Sequence, residues 1–355
     1  MYNTGKRSKG VLSMATMKQI AQIAGVSRGT VDRVLNNRGA VNPDTAKRVW
    51  EIARSLQYTP NRAALSLAAR KRNISLTYVM FDPNSNVFFS QVEQGVRAKA
   101  AQLAENGVTV HIRYADYRNP ITVVAQLEEA VAAGTAGIVV AGLNLPEIRD
   151  KLREITAAGI PVVVVNSEVP DCGQLVFLGH DSFLAGRTAA GIVRLIHRDS
   201  IRAGIILGSR NSTCHEERVA GFRSVLEENP TLWSVTFTAV NGDDEFDSFS
   251  VVKEQLQAHP DTNTLFLATG SGVFGACRAV ESLNLPQPPA IVCYDCPPST
   301  RQMLEKGLIS ATICQQPERQ GSEPLDILFN YIALDVQPEQ EKVLTDIQIL
   351  IRENL

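Results

Sequence analysis

The chain is poor in aromatic residues, 6% of 355, and no apolar run reaches the roughly 20 residues of a membrane helix, so a membrane-spanning helix is not expected. Cysteine is also sparse. The six (Cys172, Cys214, Cys277, Cys293, Cys296, Cys314) all lie beyond residue 73 with no secretory leader ahead of them, which predicts reduced thiols in the cytoplasm. Cys293 and Cys296 form one C-x-x-C, but no second pair and no paired histidines stand at zinc spacing. The five histidines show no metal spacing, G-x-S-x-G is missing, and Cys214 and His215 are sequence neighbours whose side chains diverge. Catalysis, a metal and a cofactor are therefore not expected.

What is present is a charge asymmetry. The net charge is −2, yet residues 1–72 hold fourteen Lys and Arg against Asp32, Asp44 and Glu51, so the remainder is strongly acidic. A basic head on an acidic body suits a phosphate-binding module joined to a part that stays off nucleic acid. Residues 1–15, rich in Lys, Ser and Gly, read as an unstructured leader, with Met14 or Met17 as alternative starts.

Residues 16–58 read as three short helices. Thr16 caps the first, whose buried side is Ile20, Ile23 and Ala24. A Gly25-Val26 turn follows, and Ser27 caps the second. There Val31, Val34 and Leu35 form one apolar stripe, leaving Arg28, Gly29, Asp32 and Arg33 on the opposite face. Asn42 and Pro43 open a third helix through Ala46, Val49, Trp50 and Ala53. The Gly-Val turn gives the spacing of a helix-turn-helix, though a plain three-helix bundle has the same pattern.

The order Ile20-Ala21-x-x-Ala24-Gly25-Val26-Ser27-x-x-Thr30-Val31-x-Arg33-Val34-Leu35-Asn36, followed by Tyr58-x-Pro60-Asn61-Arg62-Ala63-Ala64-x-x-Leu67, resembles the LacI family of repressors. The resemblance implies that Arg28, Gly29 and Arg33 read bases and that Ser27, Thr30 and Asn36 contact phosphates. It places Asn61 and Arg62 in a hinge, residues 59–72, and makes Leu67 the wedge between minor-groove base steps. Asp32 stands where the family usually has a small hydroxyl residue, and Gly29 leaves one reading position without a side chain.

From residue 73 onward, aliphatic runs near 74–81, 108–114, 137–140, 161–166, 175–178, 203–207, 233–240, 264–268, 290–294 and 311–313 alternate with amphipathic stretches. They predict two parallel sheets covered on both faces, an α/β two-lobed domain over 73–355 behind the small all-α head. The lobes are expected at 73–166 with 296–320 and at 167–295 with 321–355, with a final strand over 343–351. Ligands of such sheets lie beyond the carboxyl ends of the strands. Asn86 with Phe88 and Phe89, Asn144, Asn166, Arg218, Thr269, Asp295 and Gln315 stand there. Read alone, Phe88 and Phe89 are more simply core residues, and Arg218 with Asp295 a structural ion pair.

Asn86-Val87-Phe88-Phe89, Glu217-Arg218-x-x-Gly221-Phe222, Tyr294-Asp295 and 312–317 resemble the sugar sites of the periplasmic-binding-protein sensor in that family, especially its ribose-like branch. The resemblance implies that Phe88 and Phe89 wall in a ring face while Arg218, Asp295 and Gln315 bond hydroxyls, with Asn166 and Thr269 at two positions where that branch commonly has other polar residues. It further implies a cytoplasmic, nucleoid-associated bacterial repressor, with operator DNA and a sugar or polyol effector as partners. A homodimer is expected, since one head offers too little reach and no heptad repeat follows the last strand. A rival remains in Gly270-Ser271-Gly272-Val273-Phe274-Gly275, with Asp295 twenty residues on, which has the spacing of a dinucleotide site and would make the chain an NAD(H) sensor or a dehydrogenase.

Overall fold

The computed structural model describes residues 16–35, 41–56, 73–84, 86–117, 119 and 121–355. The chain divides into two compact units, 1–72 with 330–337 and 73–329 with 338–355. In the first, α1 (Met17–Ala24), α2 (Arg28–Leu35) and α3 (Pro43–Ser55) enclose a small core of Ile20, Ala21, Ala24, Val31, Val34, Val49 and Ala53. Thr16 caps α1 through a reciprocal pair of bonds with Gln19, and Gly25 ends it at φ 65°, a left-handed position that suits glycine. Ile23 and Trp50 differ from expectation. They are 59% and 46% exposed, because Ala21 takes the place beside Ile20, and Trp50 lies one residue, a turn of about 100°, off the Val49–Ala53 line.

The second unit holds two six-stranded sheets. Sheet A runs β11-β5-β4-β3-β1-β2 and sheet B runs β12-β10-β9-β8-β6-β7. The first strands of sheet A are β1 (Ile74–Phe81), β2 (Val108–Ala115), β3 (Gly137–Ala141), β4 (Val162–Val165) and β5 (Val176–Gly179); those of sheet B are β6 (Ile201–Leu207), β7 (Trp233–Val240), β8 (Thr264–Leu267), β9 (Ala290–Tyr294) and β10 (Ala311–Cys314). Both halves thus repeat one parallel, doubly wound topology, with its switch point beside β1 in one and β6 in the other. The central strands Gly137–Ala141, Val162–Val165 and Thr264–Leu267 are buried throughout, as sheets covered on both faces require.

The expected lobe boundaries need correction. β5 pairs with β4, so the first crossing between sheets comes after Gly179 and not at 166. β10 pairs with β9 and belongs to sheet B. The single final strand expected over 343–351 is two: β11 (Lys342–Leu344) beside β5 and β12 (Gln348–Leu350) antiparallel to β10. Each half completes five parallel strands before the chain leaves it, which aliphatic runs alone do not reveal.

The helices are α4 (Phe88–Ala104), α5 (Thr122–Ala132), α6 (Pro146–Ala157), α7 (Ser182–Ile196), α8 (Thr213–Leu226), α9 (Glu245–Ala258), α10 (Val273–Ser282), α11 (Pro298–Glu305) and α12 (Pro317–Leu334). Several of these helices touch backbone to backbone at glycine. A Cβ on Gly186 of α7 would lie 2.0 Å from the Arg218 carbonyl, and one on Gly221 of α8 would lie 2.0 Å from the Phe183 carbonyl. Gly95 and Gly321 do the same for α4 and α12. The first contact fixes the segment that carries Arg218.

Candidate functional site

On the head, Arg28, Gly29 and Arg33 are exposed on one face of α2 while Val31 and Val34 face the core. Ser27 caps the helix: its Oγ accepts from the Thr30 amide at 3.0 Å and lies 2.9 Å from the Thr30 hydroxyl. Arg33 donates to the Gly29 carbonyl at 3.3 Å and to the Thr30 hydroxyl at 3.4 Å, which lays its guanidinium along the face. Asn36, Asn61, Arg62 and Leu67, with the leader and hinge, fall outside the described residues.

In the second unit, the strand ends converge as the topology demands. Asn86 and Phe88 follow β1, Asn166 ends β4, Arg218 rides α8 after β6, and Thr269, Asp295 and Gln315 follow β8, β9 and β10. Together with Cys214, His215 and the Gly270–Ser271 backbone they line one cavity of about 30 Å³. Phe89 is not among them: it is buried edge-on against Phe81 and Phe88, so it is a core residue and not a cleft wall. Asn144 also lies outside the lining; its amide donates to the Asn211 carbonyl at 3.2 Å.

Arg218, 1% exposed, is the largest fully buried side chain. Its Nη1 donates to the Ala268 carbonyl at 3.0 Å, its Nη2 to Gln315 Oε1 at 3.3 Å, and its fork lies against His180 Nε2 at 3.2 and 3.4 Å. The guanidinium also stacks over the Tyr294 ring, 3.9 Å from its centroid. Gln315 links Arg218 to Asp295, donating Nε2 to both carboxylate oxygens at 3.2 and 3.0 Å, so a mediated chain replaces the direct ion pair. Burial raises the Asp295 carboxyl to about 6, with Arg218 and Gln315 pulling the other way. Burial also holds His180 well below the usual histidine range, reinforced by Arg218, and pushes His215 down to about 4. A neutral His180 that accepts from Arg218 at Nε2 carries its proton on Nδ1, a buried atom with no hydrogen-bond partner in the protein.

Two residues that the strand-end rule should have added are Tyr117, beyond β2, and Asp243, beyond β7. Tyr117 donates its hydroxyl from the sheet A side to Asp243 Oδ2 at 2.6 Å, and Thr269 donates to Oδ1 at 2.5 Å. Asp243 therefore supplies a carboxylate beside Thr269. Further bonds cross in the same way: Ser271 to Asn86 at 3.4 Å, Thr213 to the Glu168 carbonyl at 3.2 Å and the Cys214 amide to Ser167 at 3.4 Å. The cleft is closed, and its 30 Å³ is far below the ~300 Å³ of an ordinary small-molecule site.

The glycine-rich turn is not a dinucleotide cradle. The Gly275 amide, in the first turn of α10, donates to the Glu245 carboxylate at 2.6 Å, and a Cβ on Gly275 would lie 1.9 Å from the Glu245 carbonyl. The glycines serve close packing of α9 on α10, and a carboxylate of the chain already occupies the helix terminus that would hold a pyrophosphate. A dinucleotide has no seat at this turn.

Comparison with known proteins agrees. Residues 77–334 match the model of the periplasmic binding protein domain, and residues 16–61 match that of bacterial regulatory proteins, lacI family. The HTH-type transcriptional regulator CelR of Thermobifida fusca is 28% identical over 349 residues, 96% of this chain and 98% of its own. The HTH-type transcriptional repressor PurR of Actinobacillus pleuropneumoniae is 27% identical over 91% of this chain and 92% of its own. Among solved structures, a sugar ABC transporter (sugar-binding protein) from Bacillus halodurans superposes with a TM-score of 0.69 at 26% identity, over 79% of this chain and 98% of its own. Among the described residues no helix is long and apolar enough to cross a membrane. The chain belongs to the periplasmic binding protein domain family, and its residues 16–61 match the helix-turn-helix domain of bacterial regulatory proteins, lacI family.

Proposed function

We propose that this chain is a transcriptional repressor that binds duplex operator DNA through its head and senses a sugar or polyol between sheets A and B. The observation that carries the sensor half is convergence: Phe88, Asn166, Arg218, Thr269, Asp295 and Gln315, far apart in sequence, line one cavity at the strand ends. Asp295 offers acceptors for adjacent hydroxyls, Phe88 an apolar wall for a ring face, and the buried Arg218–Gln315 chain keeps the carboxylate in place. Likeness to the sugar-binding protein of Bacillus halodurans supports the same class. On the head, Arg28 and Arg33 would read base edges, Gly29 would let the helix approach closely, and Ser27, Thr30, Asn36, Asn61 and Arg62 would hold phosphates or hinge, with Leu67 as wedge.

Two subunits would read a near-palindromic site in the bacterial cytoplasm, and opening and closure of the cleft would set operator affinity through a coupling of roughly 1–3 kcal/mol. The Nδ1 of neutral His215 accepts from the Ser209 amide at 3.2 Å, so that atom is not free to activate Cys214. A thermal-shift screen of the full chain against sugars and polyols tests the reading. Stabilisation that is lost in Asp295→Ala is the expected result; stabilisation that survives the change removes Asp295 from the site.

A further inference from the structure

We propose that the effector is an uncharged polyhydroxyl compound and that Asp243, clamped by Tyr117, is the residue that makes the cleft refuse the phosphorylated or carboxylated form of that compound. The proposal rests on the sensor reading above and adds to it the charge class of the ligand.

Among the described residues, three charged side chains are buried around the cleft: Arg218, Asp295 and Asp243, at 1%, 4% and 9% exposure. The two nearby histidines are held neutral by burial. Two carboxylates thus face one guanidinium, and that guanidinium is already engaged at all three nitrogens by Ala268, Gln315 and His180. Among the described residues the site is rich in acceptors, and its one buried guanidinium is already engaged.

Each Asp243 oxygen takes one hydrogen bond, from Tyr117 or Thr269, which leaves further acceptor capacity for a hydroxyl. A carboxylate opposite a ligand hydroxyl gains a charge-assisted bond, whereas a phosphate or carboxylate there would be buried against like charge. The approach has the same sign. A second cavity of about 210 Å³ adjoins the first through Asn86 and Ser271, and Asp243 and Glu245 are among the residues that line it. The closure is specific too: the Phe81 ring meets Tyr117 edge-on at 4.9 Å, and Gly208 leaves the space Asp243 fills, since a Cβ there would lie 1.9 Å from Oδ1.

The test is calorimetric titration of the full chain at fixed salt and a pH of about 7.5 with matched probes: D-ribose and ribose 5-phosphate, D-galactose and D-galacturonate, sorbitol and sorbitol 6-phosphate. For every pair with a binding member, the uncharged member should bind at least about tenfold tighter. Asp243→Asn, its fold verified by thermal melting, should narrow that ratio about tenfold, while Tyr117→Phe should weaken both members and leave the ratio unchanged. An anionic member that binds as tightly as its neutral partner, or a ratio unaltered in Asp243→Asn, overturns the proposal. Failure of every probe to bind would remove the sugar-sensor reading and the proposal with it, an outcome distinct from a reversed preference.

Discussion

Asp295 is held at φ 60°, in the left-handed region, at the end of β9, and burial lifts its carboxyl to about 6. The folded chain therefore binds this proton more tightly than the unfolded chain, and the residue's contribution to stability is greatest below about pH 4 and declines as pH rises through about 6. His215, pushed down to about 4, has the opposite sign: its contribution is present above the ordinary histidine value and is lost as pH falls toward 4. Asp295→Asn should thus raise the melting temperature of the unliganded chain at about pH 7.5 by on the order of 2–5 °C, with the gain shrinking toward zero near about pH 4. A scanning-calorimetry series in pH reads this directly, and a gain constant with pH would contradict the buried carboxylate. Sugar affinity should weaken as pH falls below about 6, where Asp295 gains a proton and loses acceptor capacity. Thr269, Asp295 and Gln315 are legible in the sequence because each follows a strand directly, whereas Tyr117 and Asp243 also follow strands and are missed. The partners of the cleft residues are not legible: nothing in the chain order reveals that Arg218 turns its fork onto His180, or that Phe89 packs away from the cavity while its neighbour Phe88 lines it.

At the scale of elements, the Gly186–Gly221 contact sets the distance between α7 and α8 and so the seat of Arg218. Gly221→Ala, with its Cβ aimed at the Phe183 carbonyl, should cost roughly 1–3 kcal/mol and weaken sugar stabilisation by displacing α8. Equilibrium urea unfolding measures the first effect and the thermal-shift screen the second. In the head, Thr16→Ala removes the side-chain half of the α1 cap and should cost about 1 kcal/mol without altering ligand response. The long buried strands are legible because strands covered on both faces read as continuous aliphatic runs, as at Val162–Val165. The three-residue strands β11 and β12 are not, since each carries too few residues for a period and their allegiance to opposite sheets is decided by pairing alone. Nor are α11 and α12: the first is only eight residues long, and Pro324 interrupts the pattern of the second.

For the molecule as a whole, two copies of one doubly wound topology face each other across the cleft, while the first 72 positions carry a strong excess of basic residues. That distribution predicts DNA binding that weakens steeply with salt, by roughly 0.9 in log affinity per log unit of salt for each phosphate contact. The proposed two-headed reading of a near-palindromic site also predicts a dimer, which light scattering coupled to size exclusion checks; a stable monomer would contradict it. The central claim is that one chain reads DNA through its head and an uncharged sugar through its sensor. Its most direct test is selection of duplexes from a random pool by the full chain, followed by anisotropy titration of the enriched duplex at one salt concentration, with and without the sugar that stabilises the protein. The account predicts a near-palindromic consensus, loss of binding in the Arg28→Ala, Arg33→Ala double variant, and an affinity shift of roughly 5- to 150-fold on adding sugar that vanishes in Asp295→Ala. Enrichment that survives the double variant, or an affinity indifferent to the sugar, would contradict it.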